Sequence, residues 1–176
     1  MMKQLAVIWV LASLSILGAS PLNAQDNVPP PPACETDPRY AEFDFWLGEW
    51  DVHVDGKKAG ENTITKEEGG CLVLEKWTDI NGGTGQSYNY FNPDTEEWRQ
   101  VWVSKYMAID YVGGLTADGS MELVGDITYF HNQKTLKFLG RWTLQDDGTV
   151  VQYFEQYDEE NGEMAPIFTG IYHRKP

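Results

Sequence analysis

The chain has 176 residues, enough for one domain that buries about two thirds of the surface its unfolded form would expose. Its 13 Lys and Arg against 27 Asp and Glu give a formal net charge of −14, and no basic stripe interrupts that acidity. This excludes nucleic-acid binding by phosphate neutralisation, disfavours anionic membrane surfaces, and reads as solvating charge.

The first residues have the form of an export signal: Lys3 supplies a charged start, Leu5 to Leu17 is almost wholly apolar, and Leu22-Asn23-Ala24 offers a small residue at the cut. That run is too short to span a bilayer comfortably, so a periplasmic or secreted chain without a membrane span is expected. Removing residues 1–24, whose only charge is Lys3, leaves 152 residues at a net charge of −15. Residues 25–37 follow as a tether, because the four prolines from Pro29 to Pro32 favour an extended polyproline conformation. The folded domain is expected over residues 38–176. Cys34 and Cys71 form one even pair in an exported chain, where a disulfide can form and persist; the alternative is two free thiols, with Cys71 a small apolar residue at a strand start.

The densest stretch is FDFWLGEWDV, residues 43–52, with Phe43, Phe45, Trp46 and Trp50 in ten positions and Gly48 where the chain turns into a strand. It is expected to seed or close a core. Beyond it lie ten short runs rich in β-branched and aromatic residues: Glu49 to Val54, Asn62 to Glu68, Cys71 to Asp79, Gly85 to Phe91, Trp98 to Ser104, Met107 to Gly114, Met121 to Phe130, Thr135 to Leu144, Val150 to Asp158 and Phe168 to Arg174. Asp55-Gly56, Asn81-Gly82-Gly83, Asp118-Gly119, Asp147-Gly148 and similar pairs break them. With no amphipathic helix among them, the strands should run antiparallel, and a meander of this length closes or leaves long edges exposed. The predicted fold is all-β, a single antiparallel up-and-down β-barrel of about ten strands, with a two-sheet sandwich as the alternative.

Alternation assigns the faces. Met121, Leu123, Ile127 and Tyr129 share one side, Leu136, Phe138, Trp142 and Leu144 another, and Met107, Ile109 and Tyr111 a third. Two sets mix polar groups among aromatics: Trp98, Gln100, Trp102 and Ser104, and Val151, Tyr153, Glu155 and Tyr157. Facing inward, they would line a wet or ligand-bearing cavity; facing solvent, they would leave Val101, Val103 and Phe154 to pack instead.

Catalytic signatures are absent. His53, His131 and His173 are scattered without metal-ligand spacing, and no C-x-x-C, calcium loop, phosphate-cradling loop or serine elbow occurs, so neither a metal nor a cofactor is expected. Acidic pairs such as Glu96-Glu97 and Asp146-Asp147 fall at turns, as solvated charge does.

Gly48-Glu49-Trp50 resembles the G-x-W signature at the first strand of calycins, the superfamily of lipocalins and fatty-acid-binding proteins. More closely, FDFWLGEWDV resembles the opening F-D-F-W-x-G-x-W of a bacterial calycin-like family of unknown function, a likeness that runs from Phe43 to the end. The resemblance implies a lipocalin-like barrel closed at one end by Trp50, with Arg174 packing across its ring, or Arg141 as second choice. The chain shows no C-terminal helix of the lipocalin kind, which points toward ten-stranded calycins. The expected function is binding of a small, mostly apolar molecule, with Trp98, Gln100, Trp102, Tyr111, Tyr129, Trp142, Tyr153 and Glu155 as candidate contacts. Two alternatives stand beside it. One is acid–base catalysis by Glu155 with Tyr111 or Tyr153, and the other is haem binding through His173.

Overall fold

The computed structural model describes residues 31–176, so the expected export signal and residues 25–30 of the tether lie outside the described residues. Ten strands follow one another: β1 (Gly48–Val54), β2 (Lys57–Glu67), β3 (Leu72–Asp79), β4 (Thr84–Asn92), β5 (Glu97–Ser104), β6 (Met107–Leu115), β7 (Met121–Tyr129), β8 (Lys134–Leu144), β9 (Val150–Asp158) and β10 (Glu163–Arg174). Each pairs antiparallel with the next, and β1 also pairs with β10, so the sheet closes and keeps no free edge. This is the predicted up-and-down barrel, and it fits a calycin-like fold. Among the described residues no helix is long and apolar enough to cross a membrane.

Asp55 and Gly56, both at positive φ (50° and 74°), make the two-residue hairpin between β1 and β2 that their residue types favour. Two strands start five residues earlier than the sequence suggests. β2 begins at Lys57, because a polar run with no apolar alternation is nonetheless held between β1 and β3. β10 begins at Glu163 and passes through Pro166, which sits where the pairing with β9 shifts register and no ladder N–H is required of it.

One end of the barrel is filled by the chain that enters it. A turn of 3-10 helix over Asp44–Trp46 swings Phe43 and Trp46 inward, and with Trp50 they are fully buried. Phe43 stacks on Trp46 at 4.9 Å between ring centroids and meets Trp98 and Trp142 edge-on at 5.7 and 5.3 Å. The Trp50 indole N–H donates to the carbonyl of Trp46 at 2.9 Å. Arg174 lies over the Trp50 ring, its guanidinium carbon 4.3 Å from the centroid, and donates to the Leu47 carbonyl at 2.9 Å. Gly48, at φ 135°, passes so close beneath Arg174 that a Cβ would collide with the guanidinium. Leu144, expected inside, is half exposed because it ends its strand beyond the plug.

Cys34, in a single helical turn (Ala33–Thr36), is disulfide-bonded to Cys71 immediately before β3, with Cα atoms 5.0 Å apart. The bridge fastens the entering chain to the closed end. Replacing both cysteines by serine should lower the unfolding free energy by about 3 kcal/mol on the chain-entropy account, read as a lower urea midpoint with a steeper slope, since the unlinked denatured chain is less compact. Gly48→Ala should destabilise by about 1–3 kcal/mol through backbone strain and displacement of Arg174, measured the same way.

Candidate functional site

Beyond the plug the strands enclose a cavity of about 230 Å³. Its walls come from inward positions of consecutive strands: Ile109 on β6, Ile127 on β7, Phe138 on β8 and Phe154 on β9. Its mouth, at the end opposite the plug, is framed by the half-buried Trp77, Trp102, Met107, Tyr129 and Phe168 and by the exposed Ile167. Its deeper surface is polar. Glu75, Gln100, Tyr111, Gln152 and Tyr172 line it, and all five are buried.

These polar groups belong to one hydrogen-bonded belt around the inside of the barrel. The Tyr111 hydroxyl donates to the Gln100 carbonyl oxygen, Gln100 Nε2 donates to Asn89 Oδ1, Asn89 Nδ2 donates to Ser87 Oγ at 2.9 Å, and Ser87 Oγ donates to Glu75 Oε2 at 2.6 Å. From the other side, Asn62 Nδ2 donates to Glu75 Oε1 at 2.7 Å and reaches the Tyr172 hydroxyl at 3.1 Å, which donates to Gln152 Oε1 at 2.6 Å. Pairing register explains the order, since Glu75 stands opposite Ser87, Asn89 opposite Gln100, and Gln100 opposite Tyr111. Eight side chains from seven strands are thus partnered with one another at a common depth, with Asn62 Oδ1 left unpartnered.

Glu75 is the point on which the belt converges. It accepts from both neighbours, is 4 % exposed, and has no ion-pair partner among the described residues. Burial pushes its carboxyl up from the ordinary value near 4.5, against the hydrogen bonds of Ser87 and Asn62, which favour the charged form. Burial also holds Tyr111 and Tyr172 well above the usual tyrosine value, with the nearby Glu75 charge adding to it. Among the described residues, no Lys, Arg or His lines the cavity.

Of the eight candidate contacts, the cavity surface takes in four: Gln100, Trp102, Tyr111 and Tyr129. Trp98 and Trp142 also point inward, but they lie in the plug against Phe43. Tyr153 and Glu155 do not reach the interior. On β9 the inward set is Val150, Gln152 and Phe154, which by strand alternation turns Tyr153 and Glu155 to the outer surface, where the tyrosine hydroxyl donates to the carboxylate at 2.7 Å. Acid–base chemistry by Glu155 inside the barrel is thereby corrected. The haem route through His173 falls to the same alternation: Tyr172 takes the inward position, and His173 sits exposed beside His53 at 5.0 Å between rings. No cluster of three or more His, Cys, Asp or Glu side chains suited to a metal occurs among the described residues.

The sequence reading overlooked Glu75, Asn62, Ser87, Asn89 and Gln152. The signal was the same alternation, in Val73-x-Glu75-x-Trp77 and Ser87-x-Asn89-x-Phe91.

No protein-family model matches the chain, and no curated protein matches it.

Since burial raises the folded-state pKa of Glu75, the folded protein holds this proton more tightly than the unfolded chain, and the associated stability is complete below the ordinary value near 4.5 and lost as pH rises through the raised value. Glu75→Gln keeps the shape without the charge. Its melting temperature should exceed that of the native protein at about pH 8 and converge on it as the pH falls toward 4.5. Thermal unfolding by circular dichroism at several pH values reads this; a gap independent of pH would show that Glu75 titrates normally.

Proposed function

We propose that this protein is an exported barrel that binds a small, mostly apolar molecule in the cavity above the plug. The observation that carries the reading is the cavity itself: apolar walls of Ile109, Ile127, Phe138 and Phe154 over a few convergent polar groups, the usual composition of a small-molecule site. At about 230 Å³ it suits a ligand below drug size, such as a single ring with a short chain. Gln100, Trp102, Tyr111 and Tyr129 are its contacts from the sequence reading, with Trp77 and Phe168 added at the mouth. Trp98 and Trp142 shape the plug beneath it, and Tyr153 and Glu155 are surface groups outside it.

Export is supported by the leader-like start and by the Cys34–Cys71 bridge, since disulfides persist in oxidising compartments. The opening FDFWLGEW, continuing into a closed ten-stranded barrel, supports kinship with the bacterial calycin-like family it resembles.

Native mass spectrometry of protein purified from its own host should show a bound small molecule, and a compound screen should quench Trp77 and Trp102 at the mouth. Ile127→Trp, which fills the cavity from β7, should weaken that binding by at least about tenfold, while Tyr153→Ala on the outer face leaves it unchanged. Equal binding by both variants would place the ligand elsewhere.

A further inference from the structure

The least conventional feature of the cavity is a carboxyl group with no cation beside it. Glu75 is held at the deep end by two donors, Asn62 Nδ2 and Ser87 Oγ, one on each oxygen. Each oxygen of a carboxylate accepts more than one hydrogen bond, so the group keeps acceptor capacity toward the space it lines. The direction of the belt matters as much as its presence. From Tyr111 through Gln100, Asn89 and Ser87, every link donates toward Glu75, and Asn62 donates from the other side, so the dipoles of this arm and of the Asn62 amide are oriented to stabilise negative charge at that one position, while the Asn62–Tyr172–Gln152 arm donates away from it.

A second observation points the same way. The Oδ1 atom of Asn62, whose amide nitrogen serves Glu75, is buried without any hydrogen-bond donor. Asn62 does not itself line the cavity, so its orphaned oxygen marks a shortage of donors in the belt beside Glu75, and the acceptor open to a ligand is the Glu75 carboxylate. The titratable groups around Glu75 are Tyr111 from β6 and Tyr172 from β10; no cationic side chain faces it from any strand lining the cavity. An organic acid entering this space would place a second negative charge beside a buried carboxyl with nothing to neutralise either. A protonated amine would supply the missing counter-charge, and the acidic surface of the chain, at −14 overall, raises its local concentration.

We infer that the cavity selects a small protonated amine with an aromatic or aliphatic body, its ammonium group hydrogen-bonded to Glu75 and its body against Ile109, Ile127 and Phe138. This rests on the reading of the cavity as a ligand site. Trp77, Trp102 and Tyr129 at the mouth then act as aromatic faces past which a cation is drawn inward.

Three probes of one shape separate the possibilities: phenethylamine, phenethyl alcohol and phenylacetate, titrated by calorimetry with tryptophan fluorescence as a parallel readout. The native protein should bind the amine about tenfold more tightly than the alcohol, and the acid least of all. Glu75→Gln, close to isosteric, can still accept from Asn62 through its Oε1 and donate through its Nε2 to a Ser87 Oγ turned to acceptor; it should lose roughly 30-fold in affinity for the amine while holding the alcohol within about threefold. The comparison among probes on native protein needs no variant, so a misfolded Glu75→Gln leaves the inference open to refutation. Alcohol bound as tightly as the amine, or an amine preference that survives Glu75→Gln, overturns the role of Glu75 and leaves the cavity as a binding site. Failure of all three probes to bind or to perturb Trp77 and Trp102 overturns the inference and counts against the ligand-site reading as well.

Discussion

The contact on which the rest of the structure depends is Trp50 under Arg174. In the pairing register, Trp50 stands opposite Arg174 on β10 and opposite Asn62 on β2, so it occupies the seam where the first and last strands meet. Its ring carries the guanidinium on one side, its N–H is anchored to the Trp46 carbonyl, and the same guanidinium reaches on to the Leu47 carbonyl. One arginine therefore joins the last strand, the first strand and the segment that plugs the barrel. A meander becomes a barrel only if its ends recognise each other, and here that recognition is built from a cation on an aromatic face with directed hydrogen bonds, which fix register as nonspecific burial does not.

With that seam made, the interior divides into two regions of different chemistry. The closed end is buried and aromatic: Phe43 stacks on Trp46 and meets Trp98 and Trp142 edge-on, with Trp46 tilted against Trp142. The other end is apolar along its walls but bounded below by the polar belt. Tyr111 spans the boundary, since its ring meets Phe138 and Trp142 while its hydroxyl enters the belt. The belt is tolerable because each member is a partner to the next, and removal of one leaves two buried groups unserved. That mutual dependence makes the cavity floor rigid and gives Glu75 a fixed position.

Strand number, turn positions and the closing role of the aromatic segment were legible in the sequence because each rests on a local signal: period-2 alternation, residues tolerant of positive φ, and a density of large rings. The inward face of β5 was legible as one of two options and proved to hold Gln100 and Trp102. β9 resisted for a physical reason. Both of its faces mix polar and aromatic residues, so its orientation is set by neighbouring strands, which bring Gln152 and Phe154 inward. Glu75 was missed because an isolated carboxylate in an alternating strand is ordinarily solvated, and only the convergence of Asn62 from β2 and Ser87 from β4, three strands in concert, makes its burial feasible. The early starts of β2 and β10 were hidden likewise, since a polar run and a proline become strand only through their neighbours.

The disulfide between Cys34 and Cys71 lies at the closed end, as does the C-terminal Arg174, while the cavity opens at the far end between the β3–β4, β5–β6 and β7–β8 turns. Both ends of the folded domain thus emerge from the base of the cup. An affinity handle or solid support joined there would hold the protein upright with its opening unobstructed, so that immobilised and free protein exchange small molecules with the surrounding medium through the same doorway.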